Sequence, residues 1–349
     1  MAASPSSPVP SASDEIRAAI VAAGGAIRFD EFMRLALYGE SGFYASSGRA
    51  GRRGDFITSP EVGPLFGAVL ARWIDSEFLR VGEPDDFAIV EVGAGPGTLA
   101  RTILAAAPHW RDRYVAVEVS ERQRGEHPDG VCSLPKPPLG LIRGVLIANE
   151  LLDNLPFRLA VFDGGWREVC VSAGPRAGFN EITIAPDPAW DWLPRLVPHG
   201  TRLPIQDQAA AWVSSARTLL EIGTVIAFDY CTATTADLIG RPWRDWLRTY
   251  RAHDRGGHYL QNPGSQDITT QVCVDQLPPS TTIELQAGFL RRWGIDELVD
   301  EGRRAWVAAA ARPDVKALSM RSRTREGEAL LDESGLGAFQ ALSWLVKVR

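Results

Sequence analysis

The stretch Ile89-Val90-Glu91-Val92-Gly93-Ala94-Gly95-Pro96-Gly97-Thr98-Leu99 decides the fold. An apolar run of strand length enters three glycines at alternate positions and leaves as a helix-forming segment. Glycine at such a turn allows unusual φ/ψ angles and lets a ligand approach without Cβ contact. The helix that follows presents free N–H groups at the same place. Glu118 comes 21 residues after Gly97, at the predicted end of the next strand, where it can accept hydrogen bonds from ribose hydroxyls. A dinucleotide fingerprint, G-x-G-x-x-G, needs its third glycine at the helix start. Here Thr98 stands there, Pro96 intervenes, and Glu91 is ill-suited to a pyrophosphate but suits a ligand with a positive charge nearby. A glycine turn that binds nothing is the plainer alternative.

The alternation continues outward from this loop. Phe87 to Val92, Tyr114 to Val119, Gly144 to Ala148 and Thr224 to Asp229 read as strands, with helices from Leu99 to Ala107 and from Gln206 to Leu220. Strands alternating with helices mean βαβ units and a parallel sheet. Leu159 to Phe162 and Trp166 to Val171, joined by Asp163-Gly164-Gly165, break that rhythm as a β-hairpin. Thr282 to Leu285 and Phe339 to Val346 read as late strands with Arg-rich helices between them. Upstream, a helix is predicted from Asp14 to the Gly24-Gly25 stop, and a second from Phe29 to Tyr38. Gly39 to Gly54 reads as a mobile loop. Ser59 then reads as the cap of a long helix with Pro60 at its first position, Glu61 near its positive end and an apolar stripe from Leu65 to Phe78.

The chain has 349 residues, 45% hydrophobic and 23% charged, enough for a full core. Its net charge of -6 argues against a nucleic-acid or anionic-membrane footprint. Only three of the 37 basic residues are lysines, and the arginines are scattered. Arg321, Arg323 and Arg325 read as a solvated helix face. The four cysteines are far apart, with no C-x-x-C, and His253 and His258 lack a third ligand, so no metal site is expected. Unpaired cysteines fit a reducing cytoplasm, the expected location. No stretch approaches a membrane span. Residues 1–13 read as a disordered tail without signal or mitochondrial presequence features.

The pattern E-x-G-x-G-x-G resembles motif I of class I S-adenosylmethionine-dependent methyltransferases. Further segments resemble one branch of them: Glu31-Phe32-Met33, Leu37-Tyr38, Gly42-Phe43-Tyr44, Gly54-Asp55-Phe56, Thr58-Ser59-Pro60-Glu61 and Phe66-Gly67; then Asn149-Glu150-Leu151-Leu152-Asp153-Asn154-Leu155-Pro156; then Asp229-Tyr230, Arg248-Thr249-Tyr250-Arg251-His253, Gln266-Asp267-Ile268-Thr269, Phe289-Leu290 and Gly294-Ile295. This is the MidA-type family (the former DUF185 group), whose mitochondrial members are protein arginine methyltransferases acting in complex I assembly. The resemblance covers about residues 14 to 349. Cys231 departs from the glycine that many members carry after Asp-Tyr, and the missing presequence points to a bacterial member.

The resemblance implies a class I methyltransferase fold: an α/β, Rossmann-like, mostly parallel sheet. A helical segment and cofactor-covering loop would occupy 14–80, and the catalytic domain 81–349, with insertions at about 157–205 and 240–335. It implies S-adenosyl-L-methionine as cofactor, held by Glu91, Gly93, Ala94, Gly95, Gly97, Glu118 and Asn149, with Asp55, Thr58, Ser59 and Glu61 closing over it. Asn149, Glu150 and Asp153 fall where the methyl acceptor would sit. Carboxylates there can bind a guanidinium bidentately and take the departing proton. The implied partner is a protein substrate, a respiratory-complex subunit among the candidates, with no nucleic acid; a homodimer is left open. Capping of a following helix is the structural alternative for Glu150 and Asp153. Three functional alternatives stand: an NAD(P)-dependent oxidoreductase, a non-catalytic assembly scaffold on the same fold, and methylation of a small molecule.

Overall fold

Helix α1 (Ala12–Ala22) begins two residues before the expected Asp14. Ser11 accepts the Asp14 N–H at 3.3 Å while the Asp14 carboxylate accepts the Ser11 N–H at 3.0 Å, a reciprocal capping box. The computed structural model describes residues 10–46, 58–175, 178–251, 254–309, 311–312 and 314–347, so most of the expected tail and residues 47–57, including Asp55, lie outside it. Helix α2 (Phe29–Tyr38) spans the range its periodicity predicts and is followed by the short α3 (Phe43–Ser46).

The long helix expected from Ser59 is two helices, α4 (Ser59–Val62) and α5 (Pro64–Arg80). Pro64 disfavours helical geometry in the residue before it, so the chain breaks at Gly63 and restarts with proline in the first turn. Thr58, not Ser59, occupies the cap position, and the Ser59 hydroxyl donates instead to Gln286 Oε1 at 3.1 Å. Glu326 fills the break. It accepts the Leu65 N–H at 2.9 Å, and a Cβ at Gly63 would lie 2.2 Å from its carboxyl carbon.

The central sheet is assembled from β1 (Phe87–Val92), β2 (Tyr114–Val117), β3 (Cys132–Leu134), β4 (Ile142–Asn149), β5 (Leu220–Asp229), β6 (Thr282–Leu285) and β7 (Gln340–Val346). Helices α6 (Thr98–Ala106), α7 (Glu121–Arg124), α8 (Asp207–Leu219), α9 (Gln286–Arg292), α10 (Ile295–Ala309) and α11 (Val315–Leu331) alternate with them. The strand order is β3-β2-β1-β4-β5-β7-β6. Strands β1 to β5 pair in parallel, and β7 runs antiparallel between β5 and β6. The late strands therefore join the same sheet, β6 about 50 and β7 about 110 residues beyond β5. Alternate residues face two cores: Ile89 and Val145 meet Phe66, Val69 and Ile103 from α5 and α6, whereas Val90 and Val225 meet Val213 from α8. The order reverses between β1 and β4, which opens a crevice at the carboxyl ends of these strands.

The expected hairpin forms from Arg158–Phe162 and Trp166–Ala173. It belongs to a second sheet with Arg202–Ile205, Phe179–Ile184 and Ala26–Arg28. Residues from α1 and α2 pack against this sheet: Ile16, Ile20, Phe29 and Phe32 share a core with Phe157, Leu159 and Tyr259. The N-terminal helices and the insertion thus support each other. Ion pairs tie the second sheet together, Arg202 with Glu181 at 2.6 Å and a more buried cluster around Arg158. Arg158 grips Glu168 through two hydrogen bonds of 2.7 Å and Asp187 through one of 2.9 Å, and the Glu168 side chain is 3% exposed. Arg158→Ala strands that carboxylate and is expected to destabilise the fold by about 3–5 kcal/mol. Denaturant midpoints measure this, and a loss below about 1 kcal/mol would place the pair among the inconsequential ones.

Candidate cofactor and acceptor site

A cavity of about 560 Å³ lies at the crevice, a size that suits a nucleoside-bearing ligand. Its floor is the glycine loop. Gly93 has φ +73°, and a Cβ there would lie 3.1 Å from Leu151 Cδ1, so a side chain would be both strained and crowded. Gly97 has φ +80° and caps α6, but its absent Cβ faces His127 and Pro128 at 3.0–3.2 Å. Gly97 therefore shapes the loop from beneath and does not line the cavity, contrary to the sequence expectation. His127 is a support the sequence did not reveal. Its Nε2 lies 2.9 Å from the Gly95 carbonyl and its Nδ1 2.8 Å from Ser133 Oγ. Burial lowers its pKa, which favours the neutral ring donating to Gly95 and accepting from Ser133.

Glu118 lies one residue past β2 and lines the cavity. Its carboxylate accepts the Gly95 N–H at 3.0 Å and the Ser120 N–H at 2.8 Å. Each oxygen keeps a lone pair for a ribose hydroxyl. Glu91 is buried, and the Tyr114 hydroxyl donates to it at 2.7 Å. Burial, reinforced by the charge of Glu118, pushes its pKa up to about 8. Between its ordinary value of 4.5 and about 8, the unfolded chain has released this proton while the folded chain retains it. The Glu91 contribution to stability therefore falls as pH rises through that window, and levels off above it. Without cofactor, Glu91→Gln should gain on the parent protein between pH 5 and pH 8 in denaturation experiments. A constant difference would contradict the proton on Glu91.

The second signature sits opposite. Asn149 ends β4, and Glu150 follows with φ +50°, a left-handed conformation that costs a non-glycine residue energy and recurs at functional sites. Its N–H donates to the Phe228 carbonyl of β5 at 2.8 Å. Asn149 Nδ2 donates to Glu150 Oε1 at 3.0 Å. The backbone of Ser59 favours the ionised form of the Glu150 carboxyl, so Ser59 contributes through its backbone although its side chain is outside the cavity. Burial, followed by the charge of Asp153, raises the Glu150 pKa to about 8. Asn149 Oδ1 is buried and has no hydrogen-bond partner among the described residues. An unmet acceptor on a cavity wall fits a ligand N–H or O–H.

Asp153 is the exception among the three proposed acceptor residues. Its carboxyl is buried outside the cavity lining, takes the Thr269 hydroxyl on one oxygen and leaves the other unpartnered among the described residues. Only a short 3-10 turn, Leu152–Asn154, follows, so neither Glu150 nor Asp153 caps a longer helix. Behind them Asp229 receives the Leu152 and Tyr230 N–H groups at 2.8 and 2.9 Å. Burial, then the charge of Glu150, raises its pKa to about 8. Two tyrosines from the N-terminal helices close the wall. Tyr38 and Tyr44 stack at 5.4 Å and donate to the Asn154 carbonyl and to Asp267, both at 3.1 Å. Their motifs stand in the sequence, but contacts spanning 116 and 223 residues do not.

Thr58, Glu61, Glu91, Gly93, Ala94, Gly95, Glu118, Asn149 and Glu150 all line the cavity; the Ser59 side chain, Gly97 and Asp153 do not. Glu61 separates the two nucleotide readings. Its carboxylate accepts the Thr98 hydroxyl at 2.9 Å at the first residue of α6. An acid occupies the helix start where a pyrophosphate would need to lie, whereas a sulfonium cofactor places no phosphate there. The glycine cradle, Glu118 and the unmet Asn149 oxygen fit S-adenosyl-L-methionine, which when bound supplies an electrophilic methyl group on sulfur. The protein is an S-adenosyl-L-methionine-dependent methyltransferase on a Rossmann-like sheet.

Comparison with known proteins agrees. The chain belongs to the Methyltransf_28 family, described as "Putative S-adenosyl-L-methionine-dependent methyltransferase", whose model matches residues 69–289. Among curated relatives, the protein arginine methyltransferase NDUFAF7 of Danio rerio is 40% identical over 326 residues, covering 79% of this chain and 75% of the relative. The Drosophila melanogaster homologue is 30% identical over 206 residues, 49% of this chain and 46% of that protein. A COG1565 superfamily protein from Burkholderia thailandensis, crystallised with S-adenosyl-homocysteine, superposes with a TM-score of 0.80 at 26% identity, over 99% of this chain and 96% of the other.

Proposed function

We propose that the methyl acceptor is an arginine side chain of a protein. The observation that carries this reading is a cluster of buried carboxyl groups paired with no cation: Glu150 lines the cavity, Asp153 and Asp229 stand behind it, and none of the three forms an ion pair among the described residues, although Arg34 and Lys136 line other parts of the cavity. A guanidinium would bring the missing charge, bind Glu150 through two N–H groups and have one nitrogen aimed at the methyl carbon. Glu150, with the Asn149 amide holding its carboxylate, would then receive the proton the nitrogen sheds. Relatives bearing the name protein arginine methyltransferase support the same acceptor. A respiratory-complex subunit is one candidate substrate, and a cytoplasmic location accords with four free cysteines.

The test is tritiated-methyl transfer into lysate of a strain lacking the protein, followed by amino-acid analysis. Methylarginine in a protein band is the expected product. Label confined to lysine, to a carboxyl group or to a small molecule would overturn the acceptor. Cofactor binding with no transfer at all would favour the scaffold.

A further inference from the structure

The net charge of -6 hides a sharp segregation. Residues 303–325 carry seven basic residues and one acidic one. The described ones among them span the outer part of the α10–α11 hairpin, here called its tip, where the two helices pack closely: a Cβ at Gly302 would lie 2.4 Å from the Met320 carbonyl oxygen, and Arg323 reaches back to the Leu298 carbonyl at 3.0 Å and to Glu301 at 3.3 Å. Arg303, Arg304, Arg312, Arg321 and Arg325 are exposed on that tip. Arg303 pairs with Asp300 at 3.2 Å, whereas Arg304, Arg312 and Arg325 form no ion pair among the described residues. Arg321 lies over the half-buried Trp306 ring at 4.7 Å. Among these cations stand three apolar side chains in solvent: Val307, Val315 and Leu318, exposed by 73%, 83% and 53%.

We infer that the α10–α11 tip is a docking surface for an anionic lipid bilayer. Arginines would meet the headgroup charge while Val307, Val315 and Leu318 enter the headgroup–acyl boundary, the division of labour seen in interfacial helices. A soluble polyanion accounts for the arginines alone, because phosphate contacts leave the aliphatic side chains in water and stacking on bases uses aromatic ones. No helix of the described residues is long and apolar enough to cross a membrane, so the contact lies on the surface. None of the tip residues lines the cofactor cavity. The surface is therefore separable from catalysis and independent of the proposed acceptor.

Cosedimentation of the full chain with phosphatidylserine/phosphatidylcholine vesicles, against phosphatidylcholine alone and at low and high salt, tests it. Binding is expected only with the anionic lipid and is expected to weaken with salt. Replacing Arg304, Arg321 and Arg325 by glutamate should lower partitioning at least about 100-fold, since each basic residue near the surface contributes about 1 kcal/mol. Val307→Ser with Leu318→Ser keeps the charge and should still lower it about tenfold. Unchanged cofactor binding in both variants reports intact folding. A polarity-sensitive dye on the Leu318→Cys variant, in a Cys132→Ser background, should shift to the blue on anionic vesicles. Equal binding to phosphatidylcholine, an unmoved dye, or heparin and RNA binding as tight as vesicle binding would each overturn the bilayer as partner.

Discussion

Glu150→Gln lowers methyl transfer by at least about 100-fold while the cofactor dissociation constant moves by less than about threefold. The size follows from removing a charged group that acts on the transition state, where single-group losses of 10²–10³ are usual. Glutamine keeps the shape and can still meet the Asn149 amide, but it carries no charge for a guanidinium and accepts no proton. The left-handed backbone of Glu150, tied to the Phe228 carbonyl at 2.8 Å, remains in the variant, so the cofactor wall keeps its form. Because the Glu150 pKa stands at about 8 in the free protein, transfer at subsaturating acceptor should rise with pH toward that value in the parent protein. The glutamine variant should lack this limb. Isothermal titration with S-adenosyl-homocysteine and initial-rate assays separate the two quantities. Parallel loss of binding and transfer would remove Glu150 from the chemistry and leave it a structural residue.

Gly93→Val abolishes measurable cofactor binding. Valine at φ +73° is strained, and its Cβ starts 3.1 Å from Leu151, so either the loop or Leu151 must shift into the space above the floor. In the parent protein, ligand at a hundred times its dissociation constant stabilises the fold by about 2.7 kcal/mol. The variant should melt at the same temperature with and without S-adenosyl-L-methionine. Retention of the ligand-induced shift would show that the cradle tolerates a side chain and that the glycine reading of the site is mistaken. NAD(P) should shift neither protein, since Glu61 occupies the head of α6 through its bond to Thr98.

Much of this site is readable from the chain because its chemistry is carried by short segments. The run Phe87 to Val92, the glycines and Glu118 are local signals, and the strands and α6 fall within a few residues of their periodicity. What the sequence does not expose depends on distant partners. Ala26–Arg28 is too short for an alternation pattern, and Phe179–Ile184 is mostly exposed, so neither advertises the second sheet. Ser59 has the composition of a cap, but Gln286, 227 residues away, claims its hydroxyl. Asp153 has the spacing of a site residue, yet Thr269 holds it outside the cavity. Tyr38 and Tyr44 become site residues only because α2 and α3 are carried to the carboxyl ends of the strands by a sheet that includes the insertion.

The antiparallel β7 has a consequence for how the molecule comes into being. It is an interior strand, flanked by β5 on one side and β6 on the other, and it reaches that slot about 110 residues after β5 is complete. Until then β5 presents an open edge on an apolar sheet, the kind of surface that recruits stray strands. Long-range closure of this sort is slow. The nascent chain should therefore pass through a long-lived, chaperone-dependent state in which the glycine loop is already formed while half of the sheet still waits for its neighbour.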